Sequence, residues 1–448
     1  MKFREIVDSP CGLRYCFDNL DLQSGLARRN LLEQEMMTSP EAIEESYASL
    51  KRFAALLGEE PRKVETLQMK LQSLRDISGT LGSLEAGNIL DDIELFEIKH
   101  LAMLGEEVFR ILAEQIDAAG LDFEYEKVID LLDPEGQRMG TFYIYDAYSP
   151  ELREARRALE AEPESDELKD AVMNIEDAVK QRLSGALSPF AGALRGVMNA
   201  LSDIDLGIAK ALQMKTMELI IPQCGSGTSF KGMFNPEVSA ILRSKGKSFQ
   251  KVDFDYAVGT TSTVIGANMG GKTVAMKTLC LAQYLFQFGF AVPAQEAVMT
   301  PYEKILFCIG DEQSQQKGLS SFAAEILRIN NVIVVAEKGV KLLALIDEPA
   351  RTTNPVEGSA LVSALLKILS GKENLSLILT THYRVEYSGQ CWRVKGLQGG
   401  SAGLKMDYQL LKTSSNEVPH EALNIARELH VSDWWINEAN IYLNTETH

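Results

Sequence analysis

Gly266-Ala267-Asn268-Met269-Gly270-Gly271-Lys272-Thr273 follows a short apolar run, Thr263-Val264-Ile265, and precedes a largely apolar stretch over residues 274–288. The octet fits G-x-x-x-x-G-K-[ST], and strand-then-helix is the setting that pattern needs. At average glycine usage a chance match in a chain this long is on the order of one or two in a hundred. The residue types follow from the chemistry. Glycines let backbone N–H groups close around phosphate oxygens, and the helix N-terminus adds its partial positive charge. Lys272 would reach the outer phosphates, and the Thr273 hydroxyl would ligate Mg²⁺. The octet therefore predicts a site for a nucleoside triphosphate such as ATP inside an α/β domain.

Two more strand ends belong to the same site. Residues 342–346 are continuously apolar and run into Asp347-Glu348. A buried strand that delivers two carboxylates at its C-terminal end puts them at the edge where α/β sheets bind ligands. Asp347 would sit in the Mg²⁺ shell, and Glu348 would orient and deprotonate an attacking water. Residues 375–380 form the next apolar run and end in Thr381-His382, which places the His382 imidazole near the terminal phosphate.

Texture along the chain divides it near residue 215. Over residues 1–215 helical patterns dominate, with Pro40 and Pro150 as start signals after Ser39 and Ser149 and a break at Pro163. Val128-Ile129 and Phe142-Tyr143-Ile144-Tyr145 stand out as strand-like in that half. Residues 216–448 alternate apolar strands, at 218–222, 262–265, 305–309, 342–346 and 375–380, with helical stretches, the pattern of a mostly parallel covered sheet. Charge divides the same way: residues 1–200 hold 22 Lys+Arg and 39 Asp+Glu, a balance of −17 out of the total of −18. Such a surface repels phosphate backbones unless basic residues cluster, and the clusters are Arg153-Arg156-Arg157 and Arg243-Lys245-Lys247-Lys251. Six scattered cysteines without a C-x-x-C pair read as buried thiols rather than zinc ligands. With no apolar run of 18 residues and no signal-peptide core, a cytoplasmic protein without a membrane span is expected.

The core Asn268-Met269-Gly270-Gly271-Lys272 is more specific than a general phosphate loop, and with it the sequence resembles the MutS family, whose loop reads G-P-N-M-G-G-K-[ST]. The likeness continues through Val292-Pro293-Ala294-Gln295, Ile309-Gly310-Asp311-Glu312-Gln313-Ser314, Leu319-Ser320-Ser321-Phe322 and Thr380-Thr381-His382-Tyr383. It looks more like the second bacterial MutS branch than the mismatch-recognition branch. The resemblance implies an ABC-type P-loop ATPase domain at 216–448, preceded by a mainly α-helical core with short lever arms at 1–215. It further implies a homodimer with composite sites, in which Ser320 and Ser321 face the nucleotide of the partner subunit. ATP would close the dimer, hydrolysis would release it, and the helical arms would move in response.

Departures from the family pattern lie close to the site. Where the family tends to read D-E-L-G-x-G-T-D-P, this chain has Asp347-Glu348-Pro349-Ala350-Arg351-Thr352-Thr353-Asn354-Pro355, and Ala267 replaces the loop proline. Glu348 survives, so hydrolysis is expected. Room for a mismatch-reading domain, long DNA-clamping levers or a nuclease extension is not apparent in the sequence. Weak DNA binding without mismatch specificity is therefore expected for a DNA repair or recombination ATPase of this kind. The alternative is a protein-remodelling ATPase, similar to the MutS-like reactivating partners of cobalamin-dependent aminomutases, for which the acidic helical half suits a protein partner.

Overall fold

The computed structural model describes residues 1–112, 123–266, 271–310, 321–385, 389–400, 403–414, 423, 426–427 and 431–445. The chain clusters into two compact units: Met1–Asn19, Glu35–Ala48 and Gln213–His448 form one, and Leu20–Gln34 with Ser49–Leu212 the other. The boundary between Leu212 and Gln213 falls where the sequence texture changes. Two N-terminal segments nevertheless belong with the C-terminal unit, because their contacts are made there. Phe3 packs edge-on to Phe288 at 5.0 Å, the Met37 N–H donates to the Gln287 carbonyl, and the Tyr47 hydroxyl donates to the Phe290 carbonyl at 2.9 Å.

The C-terminal unit is built on two sheets. Its strands are β1 (Gln223–Cys224), β2 (Gly227–Met233), β3 (Val252–Ala257), β4 (Thr261–Ile265), β5 (Glu296–Met299), β6 (Lys304–Cys308), β7 (Leu342–Ile346), β8 (Leu375–Thr381), β9 (Gln390–Gly400) and β10 (Gly403–Thr413). The smaller sheet runs β1-β5-β2-β3 and the larger β10-β9-β4-β8-β7-β6. In the larger sheet β9, β4, β8, β7 and β6 are mutually parallel, and β10 alone is antiparallel to its neighbour. Continuous apolar runs suit such strands: every residue of β4, β7 and β8 is buried. The helices Lys272–Gln287, Ser321–Glu337 and Pro355–Leu369 alternate with these strands. Leu342, Ala344 and Ile346 of β7 and Leu375, Leu377 and Leu379 of β8 share one apolar cluster with Val332, Val335, Val362 and Leu366 from two of those helices.

Three strand expectations differ from the structure. Val128-Ile129 lies in the helix Tyr125–Leu132, where Tyr125, Val128, Ile129 and Leu132 are all buried, an i, i+3, i+4, i+7 stripe whose period is helical. Residues 142–145 form no strand. Tyr145 is packed against Tyr143 and Tyr148, and its hydroxyl lies 3.3 Å from the buried Lys99 ammonium, itself paired with Asp133. The 218–222 run makes a single bridge, Ile220 to Val292, because Glu218 turns at φ +56° to end the preceding helix and Pro222 has no N–H to donate. Other readings hold: Ser39 and Ser149 accept N–H groups at the starts of the helices Pro40–Glu59 and Pro150–Ala161. The helix Asp166–Leu187 belongs to the unit of Leu20–Gln34 and Ser49–Leu212. Arg156 is taken up by Asp146 and Glu176, both at 2.6 Å. Among the described residues no helix is long and apolar enough to cross a membrane.

Gln287 ties the N-terminal segments to the sheet. It is fully buried; its Nε2 donates to the Met37 and Tyr302 carbonyls at 2.7 Å, and its Oε1 accepts from Gln283 Nε2 and Tyr302 N–H. Leucine there would strand several buried polar groups at about 1–3 kcal/mol each. Gln287→Leu is expected to lower unfolding stability by about 3 kcal/mol or more on that basis, read as a fall in the urea midpoint. An unchanged midpoint would contradict this account.

Candidate functional site

Strand register assembles the site. Ile346 of β7 pairs with Leu379 of β8, so Asp347 leaves β7 beside Thr380, which is still within β8. Ile265 of β4 pairs with Thr381, so Gly266 emerges beside His382. Gly271 then opens the Lys272–Gln287 helix at φ +78°, a left-handed turn in which a Cβ would also press to 3.0 Å on the Tyr408 ring. Among the described residues no side chain caps that helix, so its first N–H groups and positive dipole end suit an anion.

Lys272 is only 3% exposed, and its ammonium reaches the Gly266 carbonyl at 2.7 Å and Glu348 Oε1 at 2.9 Å. Arg351 Nη1 lies 3.7 Å from the other Glu348 oxygen. Asp347 accepts from Thr273 Oγ1 at 2.7 Å and from Thr380 Oγ1 at 2.6 Å, while its own N–H holds the Cys308 carbonyl. Burial pushes the Asp347 carboxyl above its usual range, against the two hydroxyl hydrogen bonds that lower it, and neighbouring Glu348 adds to the rise. A buried carboxylate served by two hydroxyls, beside an ammonium, is a donor set suited to a hard divalent cation such as Mg²⁺.

Glu348 and Ala350 both have positive φ, +44° and +61°. For residues with a Cβ this region costs of order 1–2 kcal/mol each. The Glu348 N–H donates to Thr380 Oγ1 at 2.9 Å. Asn354 stands where the resembling pattern has aspartate, and its side chain accepts the Val356 N–H to cap the Pro355–Leu369 helix, with Pro355 in the first position. That departure leaves the capping role intact.

His382 follows β8 and is half-buried, with Nδ1 finding no hydrogen-bond partner among the described residues. Burial lowers its pKa first; Glu348 acts to raise it, and Lys272 and Arg351 lower it further. On the other side of Gly271 opens a cleft of about 750 Å³, lined by Phe249, Val274, Ala275, Thr278, Met406 and Tyr408 among others.

Of the residues expected from sequence, Gly266, Gly271, Lys272, Thr273, Asp347, Glu348 and His382 converge at the carboxyl edge of β4, β8 and β7. Ala267, Asn268, Met269, Gly270 and Ser320 lie outside the described residues; Ser321 begins the Ser321–Glu337 helix, and its side chain also lies outside them. Sequence reading missed Thr380, whose hydroxyl joins Asp347 to the Glu348 backbone. The available signal was a hydroxyl residue ending an otherwise apolar strand. It also missed the cleft residues Phe249 and Tyr408, which lie far from the loop in sequence.

A parallel sheet, a glycine turn into an uncapped helix, a buried lysine and an acidic strand end define the class, a P-loop α/β domain. The family model for MutS domain V matches residues 262–397. The chain is 28% identical over 316 residues to the Endonuclease MutS2 of Listeria monocytogenes, an alignment covering 68% of this chain and 38% of that protein. It is 24% identical over 505 aligned residues to the Endonuclease MutS2 of Streptococcus thermophilus, covering 95% and 62%. To that of Caldicellulosiruptor saccharolyticus it is 32% identical over 214 residues, covering 46% and 26%. The chain spans less than two thirds of the length of these relatives. The chain thus resembles the MutS family, and its likeness is to the MutS2 branch. MutS-family proteins are ATPases, and domain V is their P-loop ATPase domain.

The raised Asp347 carboxyl has a consequence for stability. A carboxyl that holds its proton more tightly folded than unfolded opposes folding while ionised, and ceases to as pH falls through the folded value. Asp347→Asn is therefore expected to melt no lower than the parent at neutral pH without nucleotide, the difference closing as pH is lowered through the carboxylate range. Thermal melts at a series of pH values check this. A variant that melts lower at neutral pH, by a margin that shrinks as pH falls through the carboxylate range, would show that ionised Asp347 stabilises the fold.

Proposed function

We propose that this chain binds ATP with Mg²⁺ and hydrolyses it to ADP and phosphate, as a homodimer in DNA repair or recombination whose nucleotide state moves its helical part. The observation that carries the reading is the buried Lys272 ammonium, held by the Glu348 carboxylate at 2.9 Å beside an uncapped helix N-terminus. A triphosphate is a stronger anion than the carboxylate, and its arrival releases Glu348. Phosphates then sit against Gly266, Ala267, Asn268, Met269, Gly270 and Gly271, with Lys272 on the outer oxygens. Thr273 and Asp347 would hold Mg²⁺, which supplies charge neutralisation between the outer phosphates when bound.

Once freed, Glu348 orients a water and accepts its proton, and His382 donates a hydrogen bond to the terminal phosphate. The adenine ring fits the apolar cleft beside Gly271, where stacking on Phe249 contributes about 1–3 kcal/mol. Ser320 and Ser321 would serve the partner subunit's nucleotide, by family likeness.

Lys272→Ala is expected to abolish ATP binding in calorimetry while circular dichroism stays that of a folded chain. Glu348→Gln is expected to bind ATP but hydrolyse it at least ~10²-fold more slowly, since an amide cannot take the water's proton. It should also accumulate as a dimer with ATP in light scattering. Parent-like affinity in the first variant would remove the nucleotide reading, and a monomer under both conditions would remove the dimer.

A second reading, a protein-remodelling ATPase, is favoured by one observation: residues 1–200 carry 39 acidic against 22 basic residues. Arg156 of the Arg153-Arg156-Arg157 cluster is already paired with Asp146 and Glu176. Few cationic contacts to phosphate are then expected, and duplex DNA should bind no more tightly than the non-specific range of ~10⁻⁴–10⁻⁶ M at physiological salt. Titrating duplex at two salt concentrations, with and without ATP, decides. Nanomolar binding at physiological salt would leave the DNA reading alone.

A further inference from the structure

Ala350 sits at φ +61°, 1% exposed, two residues after Glu348. Both of its backbone groups are held by side chains from other elements. Its N–H donates to Glu325 Oε1 at 3.0 Å, from the Ser321–Glu337 helix, and its carbonyl accepts from the Tyr383 hydroxyl at 2.8 Å, just past β8. Room for that hydroxyl is made by Gly358 of the Pro355–Leu369 helix, where a Cβ would lie 2.5 Å from the tyrosine oxygen. Tyr383 is fixed in turn, its N–H donating to Thr381 Oγ1 at 3.0 Å. Three separate elements thus converge on one alanine in a backbone region that glycine usually fills.

A clamp on a backbone of this kind acts on what the turn carries. Left-handed residues persist where their surroundings over-determine them, and such strain gathers at functional turns. Were Ala350 to relax to a right-handed φ, the Pro349–Ala350 peptide would rotate and carry Glu348 with it. The nucleotide contacts of Gly271, Lys272 and Thr273 lie on another element and stay where they are.

We propose that Glu325 and Tyr383 are positioning residues for hydrolysis, which by pinning both ends of the Ala350 peptide unit set the Glu348 carboxylate for water activation without contributing to nucleotide affinity. The proposal rests on the reading of Glu348 as the base. Catalytic geometry is unforgiving, since a displacement of about 1 Å costs about 10²-fold in rate.

The experiment measures steady-state ATP hydrolysis with Mg²⁺, and equilibrium affinity for a fluorescent ATP analogue, in the full chain and four variants. Glu325→Ala and Tyr383→Phe are each expected to lower kcat by about tenfold to a hundredfold, with affinity within about threefold of the parent or tighter. Glu325→Gln keeps an Oε1 acceptor for the Ala350 N–H and is expected to stay within about threefold of parental turnover. Tyr383→Phe removes a single oxygen, so it decides the matter if Glu325→Ala does not fold. Parent-like hydrolysis by Glu348→Gln overturns the base reading and the inference with it. Slow hydrolysis by Glu348→Gln beside parent-like kcat in Glu325→Ala and Tyr383→Phe overturns the inference alone, as does a loss of affinity that matches the loss of turnover.

Discussion

Parallel pairing of β7 with β8 and of β8 with β4 is the constraint on which the site depends. With Ile346 opposite Leu379 and Ile265 opposite Thr381, three chain segments leave the sheet at one edge and at one level. Asp347 emerges between two hydroxyls, Thr273 and Thr380, and Glu348 meets the Lys272 ammonium. A slip of one residue in either pairing would turn every side chain to the opposite face. The buried strands resist that slip, because each residue of β4, β7 and β8 is already packed on both faces of the sheet.

The Lys272–Glu348 pair ties the site together. Two charges this buried are held by each other, and removing one partner of such a pair commonly costs about 3–5 kcal/mol because the other charge is left uncompensated. In the proposed function an incoming polyanion would escape that cost by replacing the carboxylate at the ammonium. The same exchange would free Glu348 to accept a proton from water. The altered turn that follows, with Ala350 and Thr352 in place of glycines, keeps its left-handed backbone through N–H groups donated to Thr380 and Glu325 and a carbonyl that accepts from Tyr383. Each such bond contributes about 0.5–1.5 kcal/mol, enough together to offset a left-handed residue or two.

Legibility in the sequence followed the range of the interactions concerned. The phosphate loop, the β7 strand end and the helix starts at Pro40 and Pro150 are local, and local chemistry announces them: glycines before a lysine, carboxylates after an apolar run, a serine before a proline. Val128-Ile129 misled because two adjacent apolar residues fit a strand, whereas the helix needed Tyr125 and Leu132 to be counted with them. The smaller sheet was largely illegible, since β1 has two residues and β2 carries glycines at Gly227 and Gly232 among its polar positions. Thr380, Glu325 and Tyr383 carry their roles through register and long-range contact, which no spacing in the chain encodes. The attachment of Met1–Asn19 and Glu35–Ala48 to the C-terminal unit is of the same kind, resting on Gln287 and on aromatic packing across more than two hundred residues.

The match to MutS domain V, the P-loop sheet and the juxtaposed Lys272, Asp347 and Glu348 together make nucleotide-driven exchange at Lys272 the central claim. A crystal structure of the parent chain with Mg²⁺ and a non-hydrolysable ATP analogue tests it most directly. The account predicts the Lys272 ammonium on the outer phosphate oxygens, the metal at Thr273 and Asp347, and the Glu348 carboxylate turned from Lys272 toward a water in line with the terminal phosphorus. Bound nucleotide with Lys272 still paired to Glu348 at its present 2.9 Å would contradict it.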